Sequence, residues 1–359
     1  MDRRDRILKY ITKEQRGIEI GPWFGPLAPK REGYQCLTLD VVDSETLRRR
    51  GRDEENLSDE QIEKIQEVDL LGSSTHIDKL VEARGELGSF DYIVSSHNFE
   101  HLPNPIRFLQ GCSRVLKPDG IISMAIPDRR ACFDYFRPVT KLAEWIEASL
   151  DDRSQPTFAQ EFDFATAFAS YDDDGRKVSS FHTRVDPEKV SAMFNLERVF
   201  KGWMDYRQTN DTSYHDAHCS VFTPSSFELL IRDCAFLGLV SYEIIEISET
   251  AGNEFFAHLH ATPSIEKLHP DNYEETRNSI LRRILNEAAV TSSIGVRAAA
   301  PGALQGASGA TSGSLRAELA QARAKVEQLE SMLRQSRSLS SWGIAGQLRK
   351  IMAALRLRA

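Results

Sequence analysis

The stretch Gly17-Ile18-Glu19-Ile20-Gly21-Pro22-Trp23-Phe24-Gly25 decides the fold. A short strand carrying an acidic residue runs straight into a glycine turn, and a turn stripped of side chains lets a ligand approach the backbone. Nineteen residues after Gly21 comes Asp40, at the end of a second strand over 35–40. A carboxylate there can accept both hydroxyls of a ribose. Neither G-x-x-x-x-G-K-[ST] nor G-x-G-x-x-G occurs in this stretch. Without a phosphate-cradling loop, the expected ligand is a nucleoside that lacks a pyrophosphate.

Outward from this stretch, short apolar runs alternate with helical ones over the first 150 residues. That alternation predicts parallel strands joined by crossover helices. Further strands are expected at 68–71, 90–95 and 120–126, with helices such as 77–84 and 106–116. The second of these helices stops at Lys117-Pro118-Asp119-Gly120, where Pro and Gly cannot continue it. Past a long middle region, Thr223-Pro224 reads as a capped helix start with Pro at the first position, running to about 235. Strands at 240–247 and 254–261 follow. Their six-residue polar connection is too short for a parallel crossover, so they should pair antiparallel.

Four segments then appear in order. They are Glu19-x-Gly21-x-x-x-Gly25, Leu39-Asp40, residues 90–105 (FDYIVSSHNFEHLPNP) and residues 114–121 (RVLKPDGI). Together they resemble the successive motifs of class I S-adenosylmethionine-dependent methyltransferases, over roughly residues 15–135. The resemblance implies an α/β fold, a doubly wound, seven-stranded, mostly parallel Rossmann-like sheet whose last strand is antiparallel; an inserted helical lid and a C-terminal helical tail are expected from the residue patterns given below. It implies S-adenosyl-L-methionine as cofactor. Glu19, Gly21 and Gly25 would form the turn under its methionine portion, Asp40 would hold the ribose hydroxyls, and Ser96 and His97 would face the reacting methyl group. The chain departs from the family pattern twice. Trp23 stands where a middle glycine is usual, so the loop must bend differently or the indole must pack aside. Leu71-Gly72-Ser73-Ser74 replaces the usual acid near the adenine amine, which leaves that contact to Ser73 or a backbone carbonyl.

Methyl transfer needs alignment of nucleophile and sulfonium, and for a hydroxyl acceptor a base as well. His97, beside the expected cofactor site, is the first candidate base. His182, His215 and His218 lie in the middle region, and His182 and His218 are carried as further candidates, while His101 reads as structural. No metal centre is expected, since the five cysteines are widely spaced without C-x-x-C and read as reduced thiols. Asp172-Asp173-Asp174 reads as a solvated loop. Between 157 and 206 stand ten aromatics in fifty positions, against 9% for the chain. That density predicts the core of an inserted helical lid, with Trp203 or Tyr206 offering a flat face to an acceptor.

The formal charge of −8 hides a division. Residues 291–359 carry ten Lys/Arg and three Asp/Glu, net +7, leaving −15 for residues 1–290. So acidic a unit repels phosphate backbones, and no nucleic-acid partner is expected. No apolar run approaches the ~18 residues of a membrane span, and no signal peptide is readable. A cytoplasmic setting follows as an expectation. Residues 298–314 are Ala, Gly, Ser, Thr or Pro except Leu304 and Gln305, a flexible composition. Beyond it, Leu315, Leu319, Ala322, Val326, Leu329 and Leu333 form a short heptad seam suited to a homodimer. A basic amphipathic stretch with Trp342 then suits an anionic membrane surface or a partner helix. The expected organisation is a cofactor-binding half (1–150), a lid and acceptor region (151–222), completion of the sheet (223–265), a helical extension (266–290), a linker (291–314), a coiled coil (315–337) and a basic helix (338–359).

Residues 338–342 and 347–350 also resemble C-terminal segments that follow coiled coils in bacterial enzymes of surface-polysaccharide synthesis. That likeness implies a glycan or lipid-linked sugar as acceptor, at the inner face of the membrane. The alternatives are a small metabolite or quinone-like lipid acceptor, or a non-catalytic cofactor-binding scaffold.

Overall fold

The computed structural model describes residues 1–209, 214–262 and 270–296. Seven strands form one sheet: β1 (Arg16–Ile20), β2 (Gln35–Asp40), β3 (Leu70–Leu71), β4 (Phe90–Ser96), β5 (Leu116–Pro127), and, after a smaller sheet described below, β9 (Tyr242–Ile247) and β10 (Glu254–Ala261). Their order is β3-β2-β1-β4-β5-β10-β9. The first five are parallel, and β10 runs antiparallel to both neighbours. The expected α/β, mostly parallel sheet is present, with its last strand slotted between β5 and β9 because the hairpin folds back on itself.

Strand order reverses between β1 and β4, which leaves a crevice at their carboxyl ends. Both are central strands covered on two faces, so they read as nearly continuous apolar runs. On one face, α4 (Ile77–Glu82), α5 (Pro105–Val115) and α9 (Pro224–Phe236) bring Ile77, Val81, Leu109, Phe227 and Ile231 into the main core. On the other, α1 (Arg3–Ile7) buries Ile7 against Tyr92, Val94 and Phe256. Gly17 is required by a close approach, since a Cβ there would lie 2.0 Å from the buried Tyr92 ring. Two short helices, α2 (Ser44–Asp53) and α3 (Asp59–Glu63), build a satellite core of Leu47, Ile62 and Ile65 beside the first loop.

Capping follows the sequence closely. Asn104 caps α5 ahead of Pro105, and Thr223 caps α9 ahead of Pro224 with a reciprocal bond to Ser226. One boundary differs: β5 begins at Leu116, immediately after α5, and Lys117–Gly120 fall inside its span. The register jumps there from Phe90↔Leu116 to Tyr92↔Ile121, with Asp119 at φ 66°, so the Pro-Asp-Gly segment is accommodated as a bulge.

The inserted region is not purely helical. Helix α6 (Leu142–Leu150) precedes it, and it holds α7 (Phe158–Thr166) and α8 (Leu196–Gln208), but also strands β6 (Ala169–Asp173), β7 (Arg176–Val178) and β8 (Val190–Ala192) in an antiparallel sheet ordered β7-β6-β8. The aromatic density that implied helices supplies both parts. Phe133, Phe164 and Phe168 pack together, while Tyr135, Tyr171 and Phe181 pack with Val185 and Val190 near the small sheet. Asp174-Gly175, both at positive φ, makes the hairpin turn, and Asp172 accepts from the Gly175 amide at 2.6 Å.

Helix α10 (Pro270–Val296) lies on α9, with the Tyr273 ring stacked on Phe236 and its hydroxyl donating to Asp233. It continues through six residues assigned above to the linker. The rest of the linker, the heptad seam and the basic stretch lie outside the described residues. Among the described residues, no helix is long and apolar enough to cross a membrane, and the five cysteines are buried and unbridged.

Candidate active site

The first loop is stitched to the strand that launches it. Glu19, buried in β1, accepts from the amides of Leu27 (2.7 Å) and Ala28 (3.0 Å), which fixes the loop 21–28 in a closed curve. Burial pushes its carboxyl up to about 7, even with those two amides holding it down. Glu19 thus shapes the turn, and both of its oxygens are engaged. Gly21 sits at φ 57°, and a Cβ at Gly21 or Gly25 would meet nothing within 4 Å, so both glycines face open space.

Trp23 resolves the first departure from the family pattern by packing aside. It takes φ 50°, the left-handed conformation, and buries its indole among Leu47, Ile62 and Ile65. Trp23→Ala and Trp23→Gly should each lose about 3 kcal/mol of stability by emptying that pocket. The glycine variant should be the more stable of the two by about 1 kcal/mol, because it meets the left-handed turn without a Cβ. Urea unfolding reads the difference; equal stabilities would show that the turn imposes no strain.

Asp40 ends β2 and is 4% exposed. One oxygen accepts from the Val42 amide at 3.2 Å. Burial raises its carboxyl to about 6, against the pull of the Val42 and Val41 amides. Leu71 is its partner across the β2–β3 register, and Leu71 and the neighbouring Val41 are exposed by 55% and 60%. Two bare apolar side chains beside a ribose-type carboxylate suit the face of a purine. Ser73, expected near that ring, caps a short 3-10 turn and accepts from the Thr75 amide.

At the carboxyl end of β4 a charged network closes the crevice. Arg3, from α1, donates to Ser96 Oγ at 2.7 Å and to both oxygens of Glu254 at 2.7 and 3.0 Å. Arg3 and Ser96 line the same cleft as Glu19, Gly21 and Gly25. His97, at φ 48°, bonds Glu254 through Nε2 at 2.8 Å and turns Nδ1 toward Glu100 at 3.5 Å. Burial alone would lower the His97 pKa, but Glu100 and Glu254 overcome it and hold the ring near 9. Burial likewise opposes ionisation of Glu254, yet His97 and Arg3 bring it down to about 2. A ring kept protonated between two carboxylates has no lone pair for a substrate proton at neutral pH. The setting of His97 is therefore that of a fixed cation, in contrast to the base expected from sequence.

The other candidates separate. His182 is exposed between β7 and β8 and accepts from the Arg184 amide through Nδ1 at 3.2 Å. His218 is 1% exposed and bonds Asp134 through Nδ1 at 2.5 Å, with Arg137 clasping the other oxygen of Asp134. His101 packs edge-on against His218, ring centroids 4.6 Å apart, and bonds Asp216 at 2.9 Å. Sequence reasoning missed Arg3, Glu100, Asp134, Asp216 and Glu254. Only His215-Asp216-Ala217-His218, an acid between two histidines three apart, carried a local signal.

Residues 1–236 match the family described as "Methyltransferase domain". The chain belongs to this methyltransferase family. Partial relatives include a ubiquinone biosynthesis O-methyltransferase of Vibrio cholerae serotype O1, 24% identical over 132 residues, 34% of this chain and 48% of that protein. Another, of Xanthomonas campestris pv. campestris, is 28% identical over 74 residues, 19% of this chain and 31% of that protein. The chain thus spans 31% and 48% of the length of these two curated relatives, less than half of each. Similar solved structures include a SAM-dependent methyltransferase of Aquifex aeolicus (12% identity, 72% of this chain and 90% of that one, TM-score 0.34). One of Methanosarcina mazei gives 14% identity, 72% and 97% coverage and a TM-score of 0.32. At such scores these likenesses add nothing to the sheet topology already described.

Membership of this family implies S-adenosylmethionine as cofactor, and the residues fit it. The open space over Gly21 and Gly25 would take the methionine portion, Arg3 beside it suits the methionine carboxylate, and Asp40 suits the ribose hydroxyls. When bound, the cofactor supplies an activated methyl group on a sulfonium. The methyltransferase's own contribution is positioning: loop 21–28 braced by Glu19, and a strand end fixed by the Arg3–Glu254–His97 network.

Proposed function

We propose that the methyltransferase transfers its methyl group to an oxygen of a glycan or lipid-linked sugar in cell-surface polysaccharide synthesis. The observation that carries this reading is the polar end of β4, where Ser96, Arg3, His97 and Glu254 gather beside the cofactor loop. Groups of this kind match the hydroxyls of a sugar better than an apolar ring and tail. A second reading, a small metabolite or quinone-like lipid as acceptor, is favoured by the name that the partial relatives carry. Incubation with methyl-labelled S-adenosylmethionine and, in parallel, a cell-surface glycan fraction and a set of catechol-type lipids tests both. Label in the glycan, released as an O-methyl sugar, is expected. Label confined to the phenolic lipids would replace the first reading with the second.

A further inference from the structure

We infer that Glu100, His101 and His218 form a binding site for a divalent first-row transition-metal cation. One ligand atom from each lies within 4.8 Å of the others. His101 Nε2 is 3.7 Å and His218 Nε2 3.9 Å from Glu100 Oε1. Bonds of 2.0–2.2 Å at tetrahedral angles put neighbouring ligand atoms about 3.4 Å apart. The two distances to Glu100 exceed this by only about 0.3 and 0.5 Å, and all three atoms lie within 4.8 Å of one another.

Two independent features point to a ligand. First, Glu100 is fully buried and His218 is 1% exposed, yet neither Glu100 oxygen nor the Nε2 of His101 or His218 has a hydrogen-bond partner, the His97 ring standing off at 3.5 Å from Glu100 Oε1. Buried polar atoms are nearly always paired, and three unpaired atoms gathered within 4.8 Å can share one cation. Second, each imidazole is already oriented from behind. Asp216 holds His101 Nδ1 and Asp134 holds His218 Nδ1, which turns each Nε2 toward Glu100. A carboxylate behind a ligating histidine is the usual outer support of a metal site. Asp134 is itself held by Arg137 at 2.7 Å.

Two imidazole nitrogens with one carboxylate suit zinc or ferrous iron, whereas magnesium and calcium prefer oxygen alone. The same geometry around His218 would serve a general base, but a base must be reached by its substrate, and this ring is buried. Glu100 and His101 come from the 3-10 turn (Phe99–His101) that follows β4 and His218 from the segment before α9, so a cation would clamp the insert to the sheet.

Titration of the chelator-stripped full chain with Co(II), followed by its visible d–d absorption, tests the site, and a parallel thermal melt with Zn(II) gives a second readout. One equivalent should saturate the absorption at micromolar Co(II), and Zn(II) should raise the melting temperature by several degrees. His218→Gln should weaken Co(II) binding at least 100-fold, and Asp216→Asn, which acts only through His101, about 10- to 100-fold. Should the buried variant fail to fold, the wild-type titration decides alone. Wild-type protein that binds neither ion below 1 mM, or folded His218→Gln protein that binds Co(II) as wild type does, would overturn the inference.

Discussion

Asp40→Ala protein should bind S-adenosylmethionine at least 100-fold more weakly than wild type while keeping its fold. The carboxylate stands at the end of β2, where two ribose hydroxyls can donate to it. A hydrogen bond to a charged group contributes about 1.5–3 kcal/mol, so losing two removes a factor of 100 or more. Calorimetric titration of wild type and variant measures this directly. The affinity should also depend on pH with a definite sign. Burial holds the Asp40 carboxyl near 6 in the free protein, so acid neutralises it and affinity should fall as pH drops through 6. Its effect on stability runs the other way. An acid whose folded pKa is raised stabilises the fold below its unfolded value of about 3.9, and that contribution is lost as pH rises through 6. Free Asp40→Asn protein should therefore be more stable than wild type at pH 7, by on the order of 2 kcal/mol, while binding cofactor worse. A variant that binds as well as wild type would remove Asp40 from the site.

Glu254→Ala should lower stability by about 3 kcal/mol at pH 6, because it takes from the enclosed His97 cation the nearer of its two carboxylates and leaves only Glu100, at 3.5 Å. Arg3, whose side chain is 43% exposed, adds little to that cost because water screens it. Glu254 is held at about 2, so its contribution is present above the unfolded value of about 4.3 and is lost as pH falls through 2. His97 is held near 9, so its contribution is complete below about 6.5 and is lost as pH rises through 9. The stability difference between wild type and variant should form a plateau between about pH 4.5 and 6.5 and shrink on either side. Denaturant unfolding across pH measures it. A difference under 1 kcal/mol, or one still growing toward pH 9, would mean that the pair does not hold the strand end.

These two residues also show where sequence was informative and where it was not. Asp40 was legible because its signal is local: a strand, a carboxylate at the strand's end, and a fixed distance from Gly21. The same holds for the Thr223-Pro224 helix start and for the final hairpin, whose short connection admits one pairing geometry. Glu254 was not legible. It reaches the site because β10 slots beside β5 and points its first residue at a histidine 157 positions earlier in the chain. Glu100 and His218 likewise meet across more than a hundred residues, so no spacing rule could pair them. His97 was placed correctly at the end of β4, but its character depends on the carboxylates around it. The small sheet β6–β8 escaped for a different reason. Aromatic density reports burial and does not distinguish a helix from a strand, while the better cue, Asp174-Gly175, was read only as a solvated loop.

S-adenosylmethionine is expected to bind in the cleft between loop 21–28 and the end of β2. A crystal structure of the full chain with S-adenosylhomocysteine tests it most directly. The expected result places both ribose hydroxyls within hydrogen-bond distance of Asp40, the adenine between Val41 and Leu71, and the amino-acid portion over Gly21 beside Arg3. The product lying elsewhere, or turned so that Asp40 meets no ribose oxygen, would contradict the account.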